Sequence, residues 1–349
     1  MGNCNCKNPE AGGDKSEFKV TGDIATQNPK MGKKIVNSAL EEDPGLLSQS
    51  KQNNFNSASN DSTTDAPRSG AVKLLVVPDY SNAYTQETMR KLGPFVYDDD
   101  DKEDKNLPEF GPYELENNSV YLGQWKNGLR QGRGKQLWND GSLYEGYWKN
   151  DTAHGKGRLI HADGDVYEGQ WYEDKAHGQG VYIHVDGATY RGNWSEDKQH
   201  GYGVEEWPDG AKYEGNYEYG QKQGKGKFMW ADGSVYEGEF SDNNINGKGT
   251  YKWADGRIFV GDWKDNKMEG YGVFTWADGR RYEGEYREDK KEGYGVFTWP
   301  DGRKYKGYWK NGKQHGKGTY INAKGEEKEG EWREGKRIKV EAEGGEEAN

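Results

Sequence analysis

Tyr121, Tyr144, Tyr167, Tyr190, Tyr213, Tyr236, Phe259, Tyr282, Tyr305 and Lys328 follow one another at a constant spacing of 23 residues. Two residues after each stands a Gly, from Gly123 to Gly330, and four after each an aromatic: Trp125, Trp148, Trp171, Trp194, Tyr217, Phe240, Trp263, Tyr286, Trp309 and Trp332. A Gly-x-Gly pair keeps the same phase, from Gly132/Gly134 to Gly316/Gly318, as does a turn dipeptide, Asp140-Gly141 through Asp301-Gly302, with Lys324-Gly325 in the last unit. No insertion breaks this register. A fixed period with no interruption is the mark of a repeat array, in which each unit completes its core only against its neighbours.

The spacing inside a unit points to strands. Tyr144, Gly146 and Trp148 stand at i, i+2 and i+4 and therefore share one face of a strand. Gly157, Leu159 and His161 do the same on the next segment, and in most other units the matching set is Gly, Phe or Tyr, then Trp, as in Gly272, Phe274 and Trp276. Asp-Gly between two such segments favours a tight hairpin, because Gly accepts the positive φ the turn demands. Each unit thus reads as two short strands and two turns. Twenty or so strands at roughly 4.8 Å spacing predict a ribbon on the order of 90–100 Å long.

Composition explains what must hold such a ribbon together. Leu, Ile, Val and Phe number only 46 of 349 residues, against 52 Gly, 24 Tyr and 13 Trp. So low an aliphatic content excludes an ordinary globular core and, in a charged chain, usually signals disorder. All 13 Trp and 21 of the 24 Tyr lie beyond residue 112, however. There, rings lying over glycines are expected to supply the buried area, ~150–250 Å² each. The opposite face, with Glu145, Glu168, Glu214, Glu237 and Glu283, is expected to be mostly solvated. Gly111-Pro112-Tyr113-Glu114-Leu115 aligns with the second half of a unit, Asn117-Asn118 replacing Asp-Gly. Lys328 replaces the last Tyr, as in a terminal cap.

Tyr-Glu-Gly-x-Trp, x-Gly-x-Gly and Trp-x-Asp-Gly at this spacing resemble the MORN (membrane occupation and recognition nexus) repeat, over residues 111–335. The resemblance implies an all-β fold, an elongated, twisted, single-layer antiparallel sheet of about ten hairpin units. It also implies a role as a scaffold or protein-docking surface. Such arrays occur in junctophilins, protist cortical proteins and ciliary radial spoke heads, and as appendages to lipid kinases and methyltransferases.

The first seven residues, Met1-Gly2-Asn3-Cys4-Asn5-Cys6-Lys7, resemble a dual-acylation signal. Gly2 is the expected myristoyl acceptor and Cys4 and Cys6 the palmitoyl acceptors, although Cys6 stands where Ser or Thr is preferred. A single acyl chain binds a bilayer only marginally, so the second signal matters. Residues 8–110 read as a mostly disordered tether with short ordered segments. Among these are a strand or partner-binding patch at Ala71–Val77 and a helix at Asn82–Leu92. Asp98–Asp101 reads as a solvated acidic linker, and residues 336–349 as an acidic disordered tail.

No cofactor, metal or nucleic acid is expected. The net charge is −11, which disfavours phosphate backbones. The two cysteines are no disulfide framework. The longest apolar run, Leu74–Val77, is far too short to span a bilayer. His154, His177, His200 and His315 share one repeat phase, which marks a consensus position and not a catalytic residue. His161 and His184 replace the Trp of other units and read as packing variants. Gly247-Lys248-Gly249-Thr250 lacks the full phosphate-loop pattern.

The leading expectation is therefore a non-enzymatic, membrane-tethered scaffold at the cytoplasmic face of a plasma, cortical or ciliary membrane, and not secreted. It docks a protein partner on its aromatic face, with Trp207, Trp230, Trp253, Phe274, Trp276, Phe297 and Trp299 as candidates. Glu205 and Gln136 interrupt the second-strand aromatic row. Glu205 is read as a polar notch in an aromatic groove that could orient a partner's basic or amide group. The alternative is a structural component of a ciliary, radial-spoke-like, or cortical cytoskeletal assembly. Homo-oligomers fit either reading.

Overall fold

The computed structural model describes residues 71–80, 82–98 and 106–338. They are all-β apart from one helix, and every strand pairing in the sheet is antiparallel. The chain divides into two compact units, one ending at Gly224 and the other beginning at Lys225.

The first unit opens with β1 (Val72–Lys73) and α1 (Ala83–Leu92), followed by β2 (Glu109–Glu114), β3 (Val120–Lys126), β4 (Leu129–Leu137), β5 (Leu143–Lys149) and β6 (Thr152–Ile160). From there, strands of seven and nine residues alternate, as in Val166–Tyr172 and Lys175–Ile183. The second unit continues the alternation from Val235–Ser241 and Asn244–Lys252 onward. It closes on a short strand, Lys336–Ile338, paired with Glu331–Arg333, just past the expected end of the array at 335.

The two turns of each unit differ. The seven- and nine-residue strands are joined by two residues at positive φ, as at Asn150 (50°) and Asp151 (69°). That is the conformation whose twist matches a hairpin. The Asp-Gly dipeptide instead joins successive hairpins. There Trp138 N–H donates to Ser142 O at 3.0 Å, and Gly141 N–H to Trp138 O at 3.0 Å.

Each glycine of Gly-x-Gly has its own cause. Gly155, at φ 75°, lies within a bulge, where pairing passes from Gly146↔Gly157 to Trp148↔Ala153. Gly157 lies under a ring: a Cβ there would fall 2.6 Å from Tyr144 Cζ. The ring of Tyr144 can thus cross the strand, and its hydroxyl donates to Tyr147 O at 3.0 Å. The same bond from Tyr to the carbonyl three residues on recurs at Tyr167, Tyr190, Tyr213, Tyr236, Tyr282 and Tyr305.

The core is this file of rings. Tyr144 meets Trp148 edge-on at 5.0 Å and the Trp171 of the following unit at 5.2 Å. Tyr282 does the same with Tyr286 and Trp309 at 5.2 Å each. Edge-to-face contacts of this kind are favourable beyond the area they bury.

Candidate docking site

The aromatic face is largely consumed by its own packing. Of the seven aromatics proposed there, Trp230, Trp253, Phe274, Trp276 and Phe297 are buried, whereas Trp207 and Trp299 are half-buried. Phe274 lies between Trp276 at 4.4 Å and Trp253 at 5.3 Å. Rings at i and i+2 on one strand lean together and against the next hairpin, as Phe274 does with Trp276 and Trp253.

Glu205 is buried and satisfied from within. Its Oε2 accepts from Lys222 Nζ at 2.7 Å and from the Tyr217 hydroxyl at 2.9 Å. The ammonium of Lys222 also lies 5.0 Å from the ring centre of Tyr213 and 5.3 Å from that of Trp207. The notch thus receives its basic group from the chain itself. Gln136, the other interruption, is likewise engaged: Arg130 donates to its amide oxygen, and its amide nitrogen donates to Ser119 Oγ at 2.9 Å. In both places a cation has entered the aromatic file together with a polar acceptor, a coupled change.

His161 and His184 are buried in the file as packing variants. His184 Nδ1 lies 2.8 Å from Asp165 Oδ2, which also accepts from the Tyr182 hydroxyl at 2.9 Å. Burial would raise the Asp165 carboxyl, but the bonds from His184, the Val185 N–H and Tyr182 outweigh it and hold it at about 2. Among the described residues no group of three or more His, Cys, Asp or Glu is placed to hold a metal ion.

The reverse face of the sheet departs from expectation near its start. Glu145 is buried, not solvated, between Arg158 (2.7 Å) and Lys135 (2.5 Å). Burial raises its carboxyl, and these two cations more than reverse that. The cover is the segment that follows α1. Phe95 and Tyr97 meet edge-on at 5.0 Å, and Tyr97 meets Tyr147 at 5.5 Å. Asp98 O accepts from the Tyr147 hydroxyl at 2.8 Å and from Arg133 Nη2 at 3.1 Å, and its carboxylate pairs with Lys156. Arg158 Nη2 donates to Gly93 O at 2.8 Å. Asp98 is therefore an anchor and not part of a solvated linker. Asp99–Asp101 lie outside the described residues.

Helix α1 spans Ala83–Leu92, within the expected Asn82–Leu92. Asn82 caps it, accepting from Tyr84 N and Thr85 N at 3.0 Å each. The same side chain donates to Ala162 O at 2.9 Å, and Thr88 Oγ1 to Gly164 O at 3.3 Å, so the cap is also the dock. β1 pairs with β2, Val72 opposite Glu114.

Set against models of known families, residues 121–143 through 329–337 match the MORN repeat in ten consecutive copies, more than half of the chain. The chain belongs to the MORN-repeat family. No curated protein matches it. Among solved structures it is similar to the TCP10 domain of Danio rerio CPAP in complex with a peptide of Danio rerio STIL. The identity there is 14%, covering 61% of this chain and 97% of that one, with a TM-score of 0.34. It is also similar to the Drosophila melanogaster SAS-4 TCP domain in complex with a proline-rich motif of Ana2. That match has 14% identity, 51% and 85% coverage, and a TM-score of 0.26.

The MORN array is of a kind consistent with a protein-binding scaffold. Gly2, Cys4 and Cys6, the expected acyl acceptors, and the expected tether up to residue 70 lie outside the described residues. Among the described residues no helix is long and apolar enough to cross a membrane. The contacts missed by sequence reading are those of Arg133, Tyr147 and Lys156 with residues 93–98. Their one signal is Phe95-Val96-Tyr97 set directly before an acidic run.

Proposed function

We propose that this MORN-repeat protein is a non-enzymatic scaffold held at the cytoplasmic face of a membrane by acyl chains on Gly2, Cys4 and Cys6. The observation that carries the reading is the pairing of an unbroken MORN array with a Met-Gly-x-Cys-x-Cys start. Two acyl chains give stable attachment where one does not. The array keeps Trp207 and Trp299 half-buried on its aromatic face and exposes Tyr202, Tyr271, Tyr294 and Tyr308 on its reverse face. Both suit protein partners, since exposed aromatics are the residue type on which binding energy concentrates. A plasma, cortical or ciliary membrane is the proposed address.

The test is fractionation of cells expressing the wild-type and Gly2→Ala chains. Wild type is expected in the membrane fraction and released by detergent, with the Gly2→Ala chain in the soluble fraction. Unchanged membrane recovery of Gly2→Ala would overturn the tether. Retention of the wild type in a detergent-insoluble cytoskeletal pellet would instead favour a structural component of a ciliary or cortical assembly.

A further inference from the structure

The chain docks one of its own segments on the reverse face of its first units, and the repeat presents the same positions again with no cover among the described residues. Seven periods on from Arg133, Tyr147 and Lys156 stand Tyr294, Tyr308 and Lys317, and Lys306 takes the place of Glu145. Tyr294 pairs in register with Tyr308, as Arg133 does with Tyr147. The two tyrosine rings meet edge-on at 5.7 Å. Tyr147 under its cover is 8% exposed, whereas Tyr308 is 54% and Tyr294 49% exposed.

Charge separates this patch from the other exposed tyrosines of the reverse face. Tyr202 is tied to Glu214, and Tyr271 donates to Glu283 at 2.7 Å. At the repeat position that holds Glu in Glu145, Glu168, Glu214, Glu237, Glu283 and Glu329, the Tyr308 unit holds Lys306. Glu331 and Glu329 lie opposite Lys317 and Thr319 on the next strand. Even so, neither Lys306 nor Lys317 is within ion-pair distance of a carboxylate among the described residues, whereas Lys156, the counterpart of Lys317, is paired with Asp98. An aromatic pair flanked by two such lysines complements a segment that is itself aromatic and acidic.

We infer that the reverse face around Tyr294, Lys306, Tyr308 and Lys317 binds an extended segment of a partner protein. That segment carries two aromatic residues with one residue between them, followed by an acidic residue, the chemistry of Phe95-Val96-Tyr97-Asp98. One ring of the segment packs edge-on against Tyr308, as Tyr97 does on Tyr147, and its carboxylate pairs with Lys317, as Asp98 does with Lys156. The chain's own copy of the motif is already engaged at Tyr147, so the occupant belongs to another protein. This deepens the scaffold reading by naming a partner chemistry.

The test is fluorescence anisotropy of a labelled peptide of residues 93–101, Gly-Pro-Phe-Val-Tyr-Asp-Asp-Asp-Asp, titrated with the full unacylated chain. Saturable binding is expected. It should weaken at least about tenfold on Tyr308→Ala or Lys317→Glu, and equally when the peptide carries Ala for Tyr97 or Asn for Asp98. Tyr271→Ala should leave it within about twofold, since that tyrosine sits among carboxylates. Both array substitutions are at exposed positions, and an unchanged thermal midpoint shows that each variant is folded. If Tyr308→Ala does not fold, Lys317→Glu decides alone.

Absence of saturable binding overturns the proposal. So does binding that both substitutions leave unchanged, because the peptide is then exchanging with the chain's own segment at Tyr147. Self-association of the wild-type chain that Lys317→Glu abolishes would also overturn it, the occupant then being a second copy. None of these results depends on a membrane, so failure here is distinct from failure of the tether.

Discussion

At the scale of single residues, the array is fastened by side chains that the 23-residue pattern alone does not single out. In several two-residue turns the second residue is an Asp or Asn whose side chain reaches back one unit to accept a backbone N–H. Ala153 N bonds Asp174 Oδ1, Ala176 N bonds Asp197 Oδ1, and Ile245 N bonds Asn266 Oδ1, each at 2.7 Å. Asn does this without charge, but Asp must keep a carboxylate in a half-buried place. Burial pushes the Asp197 carboxyl up to about 6, against the pull of the Ala176 N–H. The folded chain therefore holds this proton more tightly than the unfolded chain, whose carboxyl titrates near 4. The sign follows: Asp197 costs stability above pH 6, and the cost disappears as pH falls from 6 toward 4. Asp197→Asn keeps the acceptor and removes the charge. In urea unfolding it is expected to be about 1–3 kcal/mol more stable than wild type at pH 8, with the gap closing by pH 4. A second residue prediction concerns Phe259, the one aromatic at its repeat phase with no hydroxyl. Tyr282, one unit on, donates to Glu285 O at 3.1 Å, and the counterpart acceptor for Phe259 is Asp262 O. Phe259→Tyr is expected to raise the thermal midpoint, with a gain of about 0.5–1.5 kcal/mol.

At the scale of elements, the hairpins were legible and the segment that covers them only in part. Period-2 alternation of Tyr, Gly and Trp fixes the strands because the side chain on each face follows from position alone. The short helix at Asn82–Leu92 was legible too, but its cap and its dock on Ala162 O and Gly164 O were not. What Phe95, Tyr97 and Asp98 touch was not, since their partners Arg133, Tyr147 and Lys156 lie 35–58 residues away and sequence spacing carries no record of them. Glu145 was misread with them. Its repeat position is solvated wherever no segment covers it, and the cover is irregular. A consequence can be measured. Phe95→Ala with Tyr97→Ala removes the rings that hold residues 93–98 down but leaves the sheet intact. Amide exchange in α1 is expected to rise sharply, and Tyr147 to become open to nitration by tetranitromethane. The far-UV spectrum of the array should be unchanged and its stability lower by only about 1–2 kcal/mol, the scale of two half-buried rings. Protection of Tyr147 from nitration in the double variant would show that the cover does not depend on those rings.

At the scale of the whole molecule, a low content of Leu and Ile gives each compact unit a core strung from strand to strand and not gathered at one centre. In each compact unit the substantial contacts of a strand are with its neighbours in sequence. Stability should then be close to a sum of unit and nearest-neighbour contributions, so that damage stays local. Phe274 tests this inside the unit that begins at Lys225. Its ring is buried against Trp253, Phe259 and Trp276, at 5.3, 6.4 and 4.4 Å. Truncation to Ala in a site walled by rings that cannot collapse costs on the order of 3–5 kcal/mol. In a globule with one central core that loss would lower protection everywhere. Here native-state hydrogen exchange of Phe274→Ala is expected to show faster amides in Ile258–Lys264, Lys267–Thr275 and Arg281–Arg287. Lys313–Ile321 and Glu327–Arg333 should stay within a few-fold of wild type. A uniform loss of protection across all five strands would mean that the unit opens as one cooperative body, and that the repeat in sequence is not a repeat in energy.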